Sequence, residues 1–236
     1  MSKQQLKKAE QAAAPAVPFD EADYMMGFEE ADQESFAIPR LTILQQLSPQ
    51  LEDNEQLKAG MIYDTVSEVG YSGDDGILVI PVHFQRRFVE WQPRESGGGF
   101  VAEHRPGEEP DGERDGGRIV LSNGNYLDDA RQHYVLYQSE YGWVPALISM
   151  TSTQIRKSKR WLTMMKMARK PMFAFAYRLT TVKESNDKGR WHGWAIKRDE
   201  PVTDAELVEM ARELHATVSA GNVQVRYDDA DEEMPF

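Results

Sequence analysis

No cysteine occurs in the 236 residues of the chain. Its absence excludes disulfides, zinc knuckles, iron–sulfur clusters and cysteine nucleophiles together. Long apolar runs are missing too: none approaches the ~18 residues of a membrane span, and residues 1–36 lack the basic-then-apolar pattern of a signal segment. Catalytic signatures are scarce. There is no Gly-x4-Gly-Lys-Ser/Thr loop, no His-Glu-x-x-His and no Gly-x-Ser-x-Gly elbow, and the glycines at 97–99 run into Phe-Val rather than a lysine. The histidines (His83, His104, His133, His192, His215) have no paired metal-ligand spacing. The expectation is a protein without metal, cofactor or enzymatic activity, with a nuclease built from dispersed carboxylates left open. Basic charge is also short: 27 Lys+Arg stand against 39 Asp+Glu, for a net of −12. Spread evenly, that balance argues against a nucleic-acid partner.

The charge is not evenly spread. Residues 151–200 hold thirteen Lys+Arg and four Asp+Glu, a net of +9, which leaves −21 for the remainder. From Glu10 to Glu34 there are eight acids and no base, and the last nine residues, DDADEEMPF, carry five acids and no base. A basic body with acidic arms results. Its bland reading is a solvated face with disordered ends.

Periodicity divides the chain as follows. Residues 1–36 show no sustained pattern and are expected to form a disordered acidic arm. Strands are expected at 60–69 and 77–91, then a hairpin at 133–139 and 143–150 around Glu140-Tyr141-Gly142. A helix over about 152–169, capped by Thr151 or Ser152, follows, then strands at 172–182 and 190–198. A last helix at about 203–218 has Thr203 and Glu206 as a capping box and an apolar stripe through Leu207, Met210, Ala211, Leu214 and Val218. The excursion at 92–118 is rich in Gly, Pro and charge, and reads as an extended loop or flexible hairpin, its 103–118 part as solvated disorder. The fold class is mainly β with helices (α+β). Five strands with a helix between the third and fourth make the OB-fold barrel plan, here with an inserted hairpin, an added C-terminal helix and disordered termini. The corresponding domains are the arm at 1–36, an OB-fold nucleic-acid-binding domain at 37–200, a packed helix at 201–222 and a disordered acidic tail at 223–236.

The positive chemical signal is aromatic residues interleaved with bases, in RRFVEW (86–91), IRKSKRW (155–161) and 176–198. Single strands need that pairing, because bases stack on flat rings while phosphates seek cations. The candidates are Arg86, Arg87, Phe88 and Trp91; Arg156, Lys157, Lys159, Arg160, Trp161 and Lys166 on the helix; and Tyr177, Arg178, Arg190, Trp191, Trp194 and Lys197 on the closing strands. Phe173 and Phe175 read as core. Trp161 borders the apolar face of its helix, and Trp191 and Trp194 point to opposite faces of one strand, so only one of the two can serve as a platform. In the tail, Asp228, Asp229, Asp231, Glu232 and Glu233 precede Met234, Pro235 and Phe236, which offer a partner an aromatic ring and an α-carboxylate at one tip.

That tip resembles the C-terminus of bacterial single-stranded DNA-binding proteins, which end in an acidic run followed by Pro-Phe. T7-type phage single-stranded DNA-binding proteins similarly join one OB domain to an acidic tail ending in Phe. The segments IPRLTILQQLSPQ (38–50), ISMTSTQIRKSKRW (148–161) and FAFAYRLTT (173–181) are similar to those of single-stranded DNA-binding proteins of tailed phages. The resemblance implies a protein of the bacterial host's cytoplasm that coats single-stranded DNA without sequence specificity during phage replication or recombination. It further implies recruitment of polymerase, helicase-primase, nuclease or recombinase through the tail. No membrane partner is expected, and self-association stays open. The competing reading, from the −21 outside the basic window, is an acidic protein-interaction or DNA-mimic protein acting on a host or phage DNA enzyme.

Overall fold

The computed structural model describes residues 26–31, 37–115, 118–187, 189–221 and 223. The acidic tail and most of the N-terminal arm, both expected to be disordered, lie outside the described residues.

The described chain is mainly β with a few helices, arranged as a curled half-barrel sheet. In order come β1 (Leu41–Ile43), α1 (Gln50–Asp53), β2 (Ile62–Asp64), β3 (Gly70–Tyr71), β4 (Ile77–Trp91), β5 (Phe100–His104), β6 (Gly112–Asp115), β7 (Arg118–Leu121), β8 (Tyr126–Ser139), β9 (Gly142–Met150), α2 (Ile155–Met167), β10 (Phe175–Asn186), β11 (Gly189–Pro201) and α3 (Ala205–Ser219). Strands β1–β3 form a small sheet of their own.

A long antiparallel ribbon, β4 with β8, carries everything else. Its register runs from Val79↔Tyr137 to Trp91↔Tyr126, with one irregularity between Pro81 and His83. Each strand is long enough to serve two neighbours along one edge. The first part of β4 pairs with β10, and its last part pairs with β5. The last part of β8 pairs with β9, and its start pairs with β7. One end of the ribbon therefore belongs to a half-barrel ordered β11-β10-β4-β8-β9, and the other to an arm built from β5, β7 and β6. Burial follows this division: β4 is largely buried at both ends and half-exposed from His83 to Arg87.

The apolar run Ile77–Val82 is continuous because both faces of the half-barrel are covered. Ile77, Val79, Val135, Tyr137 and Ile148 face inward, where α2 inserts Trp161 and Met165. Ile80, Val82, Tyr134, Leu136 and Leu147 face outward beneath Ala211, Leu214 and Val218 of α3. Alternation along each strand divides the two sets. Burying each such side chain contributes roughly 1.5–3 kcal/mol.

Several sequence expectations shift. The strand expected at 60–69 stops at Asp64, whose Oδ1 accepts the amides of Val66 (2.8 Å) and Ser67 (3.1 Å) and turns the chain back into β3. Of the two readings of the excursion at 92–118 the hairpin is the nearer: β5, β6 and the first residue of β7 occupy it, β5 paired to β4, β6 to β7, and β7 to β8. Helix α2 is preceded by a 3-10 turn, Ser152–Gln154, and neither Thr151 nor Gln154 caps with its side chain. Helix α3 begins at Ala205 with Asp204, not Thr203, accepting the Glu206 amide at 2.9 Å. The reason is that Val202 still donates to the Ala174 carbonyl (3.1 Å), which holds the chain extended one residue further.

The half-barrel does not close by pairing β9 with β11. The N-terminal segment lies between them: β1 touches both strands, Leu147 donates to the Pro39 carbonyl (2.8 Å), and Arg40 bridges Leu147 in parallel. A buried polar contact fixes the small sheet to the ribbon, with the Tyr137 hydroxyl donating to Asp64 Oδ2.

At the centre of the core, His133 stacks on Trp161 (centroids 4.6 Å apart), and its Nε2 meets Ser158 Oγ at 2.8 Å. Burial, with Arg131 nearby, pushes its pKa down to about 3. The fold keeps this ring neutral while the unfolded chain takes up a proton below ~6.5, so stability falls as the pH drops from about 6.5 toward 3. His83 and His192, shifted down mainly by burial, act in the same direction. Thermal melts across this range should show Tm falling with pH, and His133→Gln should flatten the dependence without abolishing it.

Candidate nucleic-acid interface

Two adjoining clefts of about 220 and 400 Å³ form one groove beside the open edge of β11. The loop after β1 makes one wall, Arg190–Trp194 of β11 the other, and the Ser152–Gln154 turn closes one end. Lys183–Ser185 of β10 extend the groove past the β10–β11 turn. Arg94, from the 3-10 turn after β4, lines the same cleft as Arg190 and Trp191.

Side-chain amides, rather than a neighbouring strand, satisfy the edge of β11 here. Gln45 Oε1 accepts from the His192 amide (2.8 Å) while its Nε2 donates to the His192 carbonyl (3.0 Å). Gln154 Oε1 accepts from the Trp194 amide at 3.0 Å. An unpaired edge is costly if buried and open to aggregation if exposed. Two glutamines meet that need while leaving the neighbouring surface concave.

Cations dominate the lining: Arg40, Arg94 and Arg190 in the first cleft, with Lys183 and Arg190 in the second. Among the described residues that line the two clefts, Glu184, in the second, is the one carboxylate. Glu184 Oε2 accepts from Lys157 Nζ (2.9 Å), Trp191 Nε1 (3.0 Å) and Gln154 Nε2 (3.4 Å). Burial pushes this carboxyl up, but the Lys157 hydrogen bond and charge, aided by Trp191 and Gln154, outweigh it and hold it below its ordinary value. Gly193 makes room for the cluster: a Cβ there would meet the Glu184 carboxylate, Lys157 Nζ at 2.6 Å and Gln154 Nε2 at 2.7 Å. Trp191, the cross-strand partner of Glu184, is half-buried and lines both clefts.

The sequence candidates scatter relative to this groove. Arg190 and Trp191 line it, and Lys157 stands behind Glu184. Arg156, Lys159, Arg160 and Lys166 form an exposed stripe on the outer face of α2. Arg178 and Lys197 face each other across β10 and β11, about 17 Å along the strand from Lys183 at ~3.3 Å per residue.

Others are committed elsewhere. Trp161, Tyr177 and Trp194 are 0–3% exposed inside the half-barrel, and Phe88 and Trp91 are buried in the arm, so none presents a ring face to a ligand. Arg86 is held by Asp129 (Nε–Oδ1 2.9 Å, Nη2–Oδ2 2.7 Å) and covers Phe88. Arg87 is bonded to Gln85 Oε1 (2.6 Å) and the Arg86 carbonyl (2.9 Å). Both serve the exposed middle of the ribbon.

Sequence reasoning missed Arg40, Arg94, Gln45, Gln154, Lys183 and Glu184 as groove residues. Only the glycine at 193, in a strand whose flanks are bulky, signalled a close approach there.

Comparison with known proteins adds one result. The family model described as Pam3 phage gp34-like protein matches residues 7–224. The chain belongs to that family. It is accordingly a phage protein. No curated protein and no solved structure matches it. Among the described residues, no helix is long and apolar enough to cross a membrane, and no group of three or more His, Asp or Glu side chains is placed to hold a metal ion.

The crowding at residue 193 is testable. Gly193→Ala should destabilise the fold by about 1–3 kcal/mol, as overpacking does, and should shift the indole emission by displacing Glu184 from Trp191. Denaturant melts and fluorescence spectra measure both.

Proposed function

We propose that this phage protein binds single-stranded DNA without sequence specificity, in the bacterial host cell, and protects it during phage replication or recombination. The observation that carries the reading is the place of the groove. In this reading strands β4, β8, β9, β10 and β11, with α2 between the third and fourth, correspond to the five strands of an OB-fold barrel. The oligonucleotide site of that fold lies by the loops joining strands one to two and four to five. Arg94 begins the first of these connections here, and Arg190 and Trp191 follow the second. One cleft thus gathers cations and an indole where a strand would lie. The groove supplies the two terms that nonspecific binding needs, phosphate neutralisation and stacking worth ~1–3 kcal/mol per base.

The exposed stripe on α2 gives such a strand a further cationic surface. The acidic C-terminus, Asp228 to Phe236, takes two roles in this reading. It recruits a polymerase, helicase-primase, nuclease or recombinase through Phe236 and the acids that precede it, and it competes with DNA for the cationic groove.

Titration of oligo-dT at several salt concentrations tests the reading. Tight binding that weakens as salt rises is expected, with quenching of tryptophan emission. Arg94→Ala and Arg190→Ala should each weaken binding and flatten the log–log salt slope by ~0.7, one phosphate's share on a single strand. Arg178→Ala, remote from the groove, should do neither. Deleting residues 228–236 should tighten binding. Absence of binding at ~50 mM salt, where phosphate contacts are strong, overturns the reading and leaves the acidic protein-interaction alternative, to be pursued with a protein target.

A further inference from the structure

A carboxylate in a cationic groove that holds DNA looks self-defeating, since its charge repels the phosphates the groove attracts. Glu184 nevertheless stands there, lining the second cleft with Lys183 and Arg190, next to the cleft that holds Arg40 and Arg94. Its contacts explain the placement. One oxygen takes the indole N–H of Trp191 at 3.0 Å and the ammonium of Lys157 at 2.9 Å. Backbone register sets Glu184 opposite Trp191, and the missing side chain at Gly193 clears the space the cluster fills.

We infer that Glu184 is a positioning residue for single-stranded DNA, which holds the Trp191 ring at the junction of the two clefts as a fixed stacking platform. The inference rests on the DNA-binding reading above and assigns within it which aromatic ring carries a base. An indole left free on a hairpin keeps several rotamers, and a base that stacks on it must first select one. An indole pinned at its N–H has that ordering done before the strand arrives, which is where preorganisation gains affinity. Lys157 balances the charge of the pinning group, so the groove keeps its cationic character at the cost of one lysine that no longer faces phosphate.

The sign of two substitutions separates this from plain electrostatics. Removing an anion from a cationic groove should tighten DNA binding. If Glu184 positions Trp191, Glu184→Ala should instead weaken oligo-dT binding about fivefold to tenfold, part of one stacking contact, and should reduce the Trp191 share of the quenching. That share is the difference between the wild type and Trp191→Phe, both measured in the full chain. Glu184→Gln keeps a carbonyl acceptor for the indole and releases Lys157, so it should retain the quenching, tighten binding about twofold to threefold at low salt and steepen the salt slope by ~0.7. In a Trp191→Phe background, Glu184→Ala should no longer weaken binding.

Tighter binding by Glu184→Ala overturns the inference, as does equal weakening by both substitutions. The Gln variant, close in shape, decides the matter even if the Ala variant does not fold: a shift in its indole emission, or loss of its quenching, also overturns it. These outcomes are distinct from failure of the functional reading, which shows as a wild-type protein that does not bind oligo-dT at all.

Discussion

The pairing of β4 with β8 is the constraint on which the rest depends. Strands of fifteen and fourteen residues are longer than the usual strand of about 5–6, and a ribbon that long twists too far to keep one set of neighbours. The chain accommodates this by giving each long strand two partners in succession. The half-barrel forms where β10 and β9 join the ribbon, and the arm forms where β5 and β7 join it. Between them the ribbon carries half-exposed His83, Phe84, Gln85, Arg86 and Arg87, of which Gln85 bonds across the strands to Gln132 and Tyr134 and Arg86 to Asp129. A substitution there acts on both lobes at once.

The groove follows from the same constraint. A half-barrel of five strands that does not pair its outer edges leaves the open edge of β11 to be satisfied by other means. The N-terminal segment fills part of the gap, and Gln45 and Gln154 complete the edge with their amides. Concavity, a strand edge capped by side chains instead of a neighbouring strand, and cationic lining therefore coincide in one place. The floor is rigid because Trp194 and Trp161 belong to the core beneath it.

Much of the fold was legible in the chain. The apolar run at 77–82 followed by alternation marks β4, the Glu140-Tyr141-Gly142 turn marks the β8–β9 hairpin, and the stripe of α3 buries Ala211, Leu214 and Val218 with half-buried Leu207 and Met210 packed against them. The arm was not legible. Its strands are short, charged and partly exposed, and they are strands only because β4 and β8 offer them a long-range partner; a local window holds no trace of that register. The candidate site was legible at Trp191, Arg190 and Lys157. Arg86 and Arg87 misled because Asp129, far away in sequence, neutralises one of them and Gln85 occupies the other. Tyr177 and Trp194 misled because alternation gives a face without telling which face is inside. Arg40, Arg94 and the two glutamines carry no motif; only the folded chain brings them to one edge.

The central claim is that a single strand lies in the groove beside β11. Photo-crosslinking of a bromouracil-substituted oligonucleotide to the full chain, with mapping of the attached peptides, tests it most directly. The account predicts crosslinks on Trp191 and on the segments around residues 42–50 and 183–192. Crosslinks confined to the outer face of α2 or to the arm, with the groove untouched, would contradict it.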